Sequence, residues 1–304
     1  MEKVLITGGC GFIGSHLAEK LSELKFDVTV VDNLVTGSIN NINQKKITFF
    51  ECDILEDHFD EIVKQYRPNY IIHLAAQANV NESINNILYD EQVNIRGTLK
   101  VIDLSRKYNV KKIVFASTSA VYGHPKFLPM DTSHIAEPLS PYGASKYASE
   151  HYLRLAKKLF NIDFTVLRYG NVYGPKQNAK LEGGIVAIFS SAVSQNVRPT
   201  IFGDGEQTRD FVFVGDIVSA NIQALKFGSG QILNVSTGTQ VSVNQLFQLI
   251  KSISESHIEP IYKEERAGDI KHSLMCIKKT SEILQWSPVV DLKEGLIKTL
   301  AFYS

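Results

Sequence analysis

A short apolar run, Val4 to Thr7, leads straight into Gly8-Gly9-Cys10-Gly11-Phe12-Ile13-Gly14, and no other stretch of the chain restricts its fold as strongly. The stretch holds G-x-G-x-x-G at positions 9, 11 and 14 and G-x-x-G-x-x-G at 8, 11 and 14. Glycine lets a backbone turn this sharply from a strand into a helix and approach a diphosphate closely. The diphosphate charge then rests at the N-terminus of the helix that begins near Phe12. The motif is weak by itself, and its context decides how it is read. Here it follows a strand and opens a helix, and a second strand ends in Asp32, 18 residues beyond Gly14. That spacing predicts a dinucleotide site, with Asp32 accepting hydrogen bonds from the adenosine ribose and repelling a 2′-phosphate. No arginine follows in Asn33-Leu34-Val35-Thr36 to reverse the preference, so NAD is expected rather than NADP. Asp53, after the third strand, reads either as an adenine contact or as a helix N-cap.

Further β-rich runs recur at Val28 to Val31, Ile47 to Phe50, Tyr70 to Leu74, Ile113 to Ala116 and Phe164 to Leu167, with helix-like stretches between most of them. Strands that alternate with helices pair in parallel, because a parallel neighbour needs a crossover. The expected class is α/β, a doubly wound parallel sheet of the Rossmann type with a smaller C-terminal α/β lobe. Beyond Gly174-Pro175 the pattern breaks into turn-rich pieces and amphipathic helices near 184–196, 216–227, 243–255 and 292–303. We place the dinucleotide-binding domain at 1–170, with a strand at 232–235 returning to it, and the second lobe at 171–304.

Composition removes other classes. Lys plus Arg number 32 and Asp plus Glu 32, so neither nucleic acid nor a membrane surface is expected as a partner. No apolar run approaches the roughly 18 residues of a membrane-crossing helix. The N-terminal stretch lacks the apolar region of a secretory signal, and a cytoplasmic location is expected. Cys10, Cys52 and Cys276 lie far apart, which fits reduced thiols better than a disulfide framework or a zinc cluster. The eight histidines form no H-E-x-x-H pattern and no G-x-S-x-G elbow occurs, so no metal and no serine-hydrolase chemistry is expected.

Pro141-Tyr142-Gly143-Ala144-Ser145-Lys146 contains Y-x-x-x-K, whose i, i+4 spacing puts a phenol and an ammonium on one helical face. A nearby cation favours the phenolate, and an oxidised nicotinamide would add to the effect, making Tyr142 a base. Taken alone the pair also reads as a solvated helix face. Phe115-Ala116-Ser117-Thr118-Ser119 places hydroxyls at the C-terminal end of a strand, where open α/β sheets bind ligands. Thr118 there could hydrogen-bond a substrate hydroxyl beside Tyr142, or simply start a loop.

These segments, with His73-Leu74-Ala75-Ala76-Gln77, Val121-Tyr122-Gly123 and Leu167-Arg168-Tyr169-Gly170-Asn171-Val172-Tyr173-Gly174-Pro175, together resemble the extended short-chain dehydrogenases acting on nucleotide sugars, above all the UDP-hexose 4-epimerases. Gly203 to Phe211 and Arg266 to Ser273 are similar to that family's sugar-nucleotide lobe, and the likeness runs from Val4 to about Tyr303. The resemblance implies Tyr142 as base, Lys146 as the residue that holds the nicotinamide ribose and lowers the tyrosine pKa, and Thr118 as their hydroxyl partner. It implies NAD contacts from Gly8, Gly11, Phe12, Ile13, Gly14, Asp32, Asn33, Asp53, Ile54, Leu74, Ala75, Ala76, Tyr142 and Lys146. It implies a UDP-sugar held by Thr118, Asn171, Arg209, Arg266, Asp269 and Ser273, and a homodimer formed through helices at 93–108 and 142–159.

Departures from the family refine the expectation. Nucleotide-sugar 4,6-dehydratases carry an acidic pair where Ser119 and Ala120 stand, and UDP-glucuronate decarboxylases a glutamate at Ala120. Without a carboxylic acid no group is evident to expel a C6 hydroxyl, so C4 epimerisation is preferred. Gly170 stands where the family is bulkier and is expected to enlarge the pocket. Ser273, small at a position facing the sugar C2 substituent, predicts that N-acetylated hexoses enter. A 4-keto-6-deoxyhexose reductase of the same family and a non-catalytic dinucleotide-sensing regulator stand as alternatives.

Overall fold

The structure, a computed structural model, describes residues 1–179, 184–265 and 268–304. The strands are β1 (Lys3–Thr7), β2 (Asp27–Asp32), β3 (Thr48–Glu51), β4 (Tyr70–His73), β5 (Lys112–Thr118), β6 (Asp163–Tyr169), β7 (Asn171–Tyr173), β8 (Thr200–Phe202), β9 (Thr208–Arg209), β10 (Phe211–Phe213), β11 (Gln231–Val235), β12 (Val241–Ser242) and β13 (Ile261–Lys263). The helices are α1 (Phe12–Glu23), α2 (Asp57–Tyr66), α3 (Val80–Asn85), α4 (Ile87–Glu91), α5 (Gly97–Tyr108), α6 (Pro141–Phe160), α7 (Ile185–Ser194), α8 (Val214–Lys226), α9 (Val243–Ile253), α10 (Lys278–Leu284) and α11 (Leu292–Tyr303).

Seven strands form one sheet in the order β11, β6, β5, β4, β1, β2, β3, every neighbour parallel. Its strands read as apolar runs because helices cover both faces. Val4 and Ile6 point into the layer with Leu17, Leu21, Ile217 and Ala224 of α1 and α8. Leu5, between them, points to Phe59, Val101 and Leu153 of α2, α5 and α6. From β1 the chain steps outward to β3, then returns to β4 on the other side, opening a crevice above the strands' C-terminal ends.

The remaining pairs are small: β7 with β10 and β8 with β13 in parallel, β9 with β12 antiparallel. Helices α7, α9 and α11 pack over them through Val186, Phe189, Leu246, Phe247, Ile250, Leu296 and Leu300. The α9 start is fixed by a capping box between Ser242 and Gln245. Strand β11 leaves this region and pairs in parallel with β6 in the main sheet.

The helix expected over 93–108 is built differently. A π-helical turn at Gln92–Arg96 joins α4 to α5 and carries Asn94 into the interior. A wide turn of this kind recurs at functional sites. Helix α5 buries Val101, Ile102 and Leu104 and exposes Asp103, Arg106 and Lys107. Exposed apolar side chains lie instead on α3 and α4 (Val80, Ile84, Ile87, Leu88) and on α6 (Tyr152, Leu155, Leu159). Among the described residues no helix is long and apolar enough to cross a membrane, and no group of three or more His, Cys, Asp or Glu could hold a metal ion.

Candidate active site

A cleft of about 670 Å³ opens at the C-terminal ends of the sheet strands. Gly8, Gly11, Phe12, Ile13, Gly14, Asp32, Asn33, Asp53, Ile54, Leu74, Ala75, Ala76, Tyr142 and Lys146 all line it. The glycine turn is packed too tightly against its own backbone to admit side chains at Gly8 and Gly14. Gly8 has φ +71, and a Cβ there would stand 2.7 Å from Ala75 N. At Gly14 a Cβ would stand 2.2 Å from Gly8 O, so this glycine lets α1 pack against the turn. Gly11 is the N-cap of α1, and no side chain caps the helix. The first amides of α1 are thus left for an anion, which suits the pyrophosphate of NAD.

Asp32 is more heavily engaged than its expected ribose role requires. Its Oδ2 accepts from Cys10 N at 2.9 Å and its Oδ1 from Leu34 N at 2.8 Å. Burial raises its pKa against these backbone bonds. A carboxylate has about four lone-pair sites, so acceptor capacity remains for ribose hydroxyls. Asp53 is not an N-cap, since α2 begins at Asp57 behind Glu56. It accepts from Leu55 N at 2.9 Å and from Asn33 Nδ2 at 2.7 Å, tying the ends of β2 and β3 together beside the cleft.

Across the cleft, Ser140 caps α6 by accepting from Gly143 N, and Pro141 occupies the first turn. This start sets Tyr142 at the cleft and Lys146 one turn deeper. Thr118 accepts from Ala120 N at 3.1 Å, and its hydroxyl favours the ionised form of the Tyr142 phenol. Thr118 is not among the residues that line this cleft, whereas Ala116 and Ser117 are. Lys146 donates to Ala116 O at 2.9 Å and lies 4.8 Å above the Phe115 ring. Burial holds the lysine down to about 8. The tyrosine is pushed up to about 12 by burial and by the charge of Asp90, only partly offset by Thr118. In the protein alone the phenol is raised, because desolvation penalises the phenolate more than its neighbours support it.

The residues expected to grip the sugar nucleotide divide. Asn171 lines the cleft and its Nδ2 reaches Asp210 O at 3.4 Å. Arg209, Asp269 and Ser273 lie outside the cleft lining, on a neighbouring patch where β9 meets the 268–273 segment. Arg209 Nη1 donates to Thr208 O at 2.9 Å and to Ile270 O at 2.7 Å, and Asp269 supports its charge against burial. Ser273, 8% exposed, donates its N–H to Thr208 O at 3.2 Å. Arg266 lies outside the described residues. Gly170 does not enlarge the cleft. A Cβ there would meet Ser236 Oγ at 2.2 Å, so this glycine serves the close passage of β6 beside the end of β11.

Sequence reasoning passed over Asp90 and Asn94, which sit beside the Tyr142–Lys146 pair, and over Gln77 as a cleft-lining side chain. Gln77 was visible at the end of the β4 segment. The other two became visible only through the π-helical turn.

A strand-to-helix glycine turn and the acidic end of β2, facing a Tyr-x-x-x-Lys pair across one crevice, fit a nicotinamide-dependent enzyme built on a doubly wound sheet. The chain belongs to the NAD dependent epimerase/dehydratase family, whose model matches residues 4–236. A relative from Methanocaldococcus jannaschii, provisionally named a UDP-glucose 4-epimerase, is 47% identical over 96% of this chain and 95% of its own. The UDP-glucose 4-epimerase of Thermotoga maritima, solved with UDP-glucose, has a TM-score of 0.97 at 43% identity, covering 99% of this chain and 98% of that one. The UDP-N-acetylglucosamine 4-epimerase of Methanobrevibacter ruminantium, solved with UDP-N-acetylmuramic acid, has a TM-score of 0.95 at 36% identity with the same coverage.

Proposed function

We propose that this chain is an NAD-dependent 4-epimerase of UDP-hexoses, acting on UDP-glucose and UDP-galactose and on the N-acetylated pair. The observation that carries this is the single cleft lined by both the glycine turn with Asp32 and the Tyr142–Lys146 pair. NAD, when bound, supplies the hydride acceptor. Gly11 and the open α1 amides hold its diphosphate, Asp32 its adenosine ribose and Lys146 its second ribose. Tyr142 takes the proton of the C4 hydroxyl at its phenol oxygen, and the Thr118 hydroxyl orients the phenol. The 4-keto sugar turns while the UDP stays held at the remote end by Asn171, Arg209, Arg266 and Asp269, so that binding energy far from C4 retains the intermediate. Tyr142 then returns its proton to the C4 oxygen, and the hydride that the bound cofactor would give back enters the opposite face of C4, so neither base nor cofactor is consumed.

In this reading residues 1–170, with β11, bind the dinucleotide, and 171–304 bind the sugar nucleotide. The protein works as a cytoplasmic homodimer. Exposed apolar residues on α3, α4 and α6 support the assembly, since α3 and α4 both pack beside α6. Three scattered free cysteines suit a reducing compartment.

The experiment is to incubate purified protein with UDP-galactose and no added cofactor, and separately with a 4-keto-6-deoxyhexose nucleotide plus NADH or NADPH. Interconversion without net cofactor consumption is expected. Stoichiometric oxidation of reduced cofactor, with no epimerisation, would replace the reading by the 4-keto reductase.

A further inference from the structure

A buried carboxylate that none of these roles uses lies beneath the tyrosine and lysine. Asp90, in α4, is 1% exposed. No ion pair forms to it among the described residues; Arg96, in the following turn, pairs with Glu91 instead. Its Oδ1 accepts from Gln77 Nε2 at 3.1 Å and from Asn94 Nδ2 at 3.0 Å. Asn94 Nδ2 also reaches Ser145 Oγ at 3.1 Å. Ser145 directly precedes Lys146, and its hydroxyl donates to Tyr142 O at 3.0 Å. Lys146 is itself 3% exposed, with the Ala116 carbonyl as its hydrogen-bond partner in place of a carboxylate. Two opposite charges are thus buried in one polar cluster, neither in a direct ion pair. A carboxylate kept dry on neutral donors alone is costly, and such groups concentrate where charge has a task.

We propose that Asp90 is a positioning residue for the Tyr142–Lys146 pair: its negative charge, held by Gln77, Asn94 and Ser145, keeps Lys146 an ammonium and sets the pH window in which the pair works. The assignment rests on the epimerase reading. Asp90 raises the affinity of both groups for their protons, counteracting the burial that lowers Lys146 and adding to the burial that raises Tyr142. The other groups around the cluster do not supply this field. His73, from β4, is buried and held down to about 3, hence neutral. Tyr169, from β6, is held uncharged by burial. Glu150, on α6, is bound by Arg168 at 2.6 Å. Glu82, from α3, is exposed, and Glu91 and Arg96 neutralise each other.

The test is the pH profile of kcat in NAD-loaded Asp90→Asn. The amide oxygen can still accept from Gln77 and Asn94, so the variant removes charge while keeping shape. Without the charge Tyr142 ionises at lower pH and Lys146 loses its proton at lower pH, so both limbs of the profile move down together, by about one to three pH units. Asp90→Glu keeps the charge and should leave the limbs near their wild-type positions. A uniformly lower rate with unmoved limbs in Asp90→Asn would overturn the proposal and leave the epimerase reading intact. If Asp90→Asn does not fold, the Asp90 carboxyl ¹³C resonance in the wild-type holoenzyme decides: ionised at pH 7 is expected, and protonated overturns the proposal. A wild type that performs no C4 epimerisation defeats the functional reading instead, whatever that resonance shows.

Discussion

Tyr142 begins from a disadvantage, because burial pushes its phenol up to about 12 and Lys146 is turned to the Ala116 carbonyl. Tyr142→Phe deletes the proton acceptor and keeps the ring, so turnover should fall about 10²- to 10⁴-fold while NAD affinity, read by titration, stays within threefold. Ser273→Tyr separates sugar selection from chemistry. If this position limits the C2 substituent, the variant should lose the acetylated pair at least tenfold in kcat/KM and keep the plain hexoses; equal loss of both would remove Ser273 from that role. His73 sets an acid limit on stability. Buried between Thr7, 2.7 Å from its Nδ1, and Thr98, 3.2 Å from its Nε2, it is held down to about 3. Its folded pKa lies below the unfolded value near 6.5. The unfolded chain therefore binds the extra proton between those values, and the stability this histidine contributes is complete above pH 6.5 and lost as pH falls toward 3. Denaturant titrations should show a loss of about 1.4 kcal/mol per pH unit from this group, absent in His73→Gln.

At the scale of elements, α6 is fastened to the sheet by one buried ion pair. Arg168 of β6 donates to Glu150 through Nε at 2.9 Å and Nη2 at 2.6 Å, and Ser117 of β5 donates to the same carboxylate at 2.6 Å. The guanidinium also stacks 4.7 Å from the Tyr122 ring centre, and its Nη1 already lacks a hydrogen-bond partner. Glu150→Ala would strand the cation, with a loss of about 3–5 kcal/mol in urea or thermal unfolding, whereas replacing both partners by apolar residues should recover much of it. The pair was invisible in sequence, since Leu167-Arg168-Tyr169 reads as strand and Glu150 as one more polar position on a helix. The helices themselves were legible. The apolar spacing over 243–255 yields α9 at Val243–Ile253, because a helix that buries one face must repeat every 3.6 residues. The π-helical turn at Gln92–Arg96 was not, because Gln92-Val93-Asn94-Ile95-Arg96 reads as ordinary helix and the wider turn shows only in where Asn94 points.

At the scale of the whole molecule, the outward row of Ile84, Leu88, Leu155 and Leu159 predicts self-association. Sedimentation should find a dimer, and Leu155→Glu with Leu159→Glu should yield a monomer that still retains NAD. The dinucleotide end was readable from the chain alone because its chemistry is local. A turn of three glycines, a helix N-terminus and an acid 18 residues on lie within one strand-helix-strand unit, and backbone sterics allow that pattern few conformations. Tyr142 and Lys146 share the same locality, one helical turn apart. What the tertiary structure alone decided is everything that depends on two distant segments meeting. Gly170 looked like space and proved to be contact, because Ser236 stands against it. Arg209 and Ser273, far apart in sequence, are brought together where β9 runs beside the 268–273 segment. Asp90 carries no signal in the sequence and is buried beside the Tyr142–Lys146 pair. Burial and the field of a charge are properties of the space around a side chain, and that space is filled by residues far away in sequence.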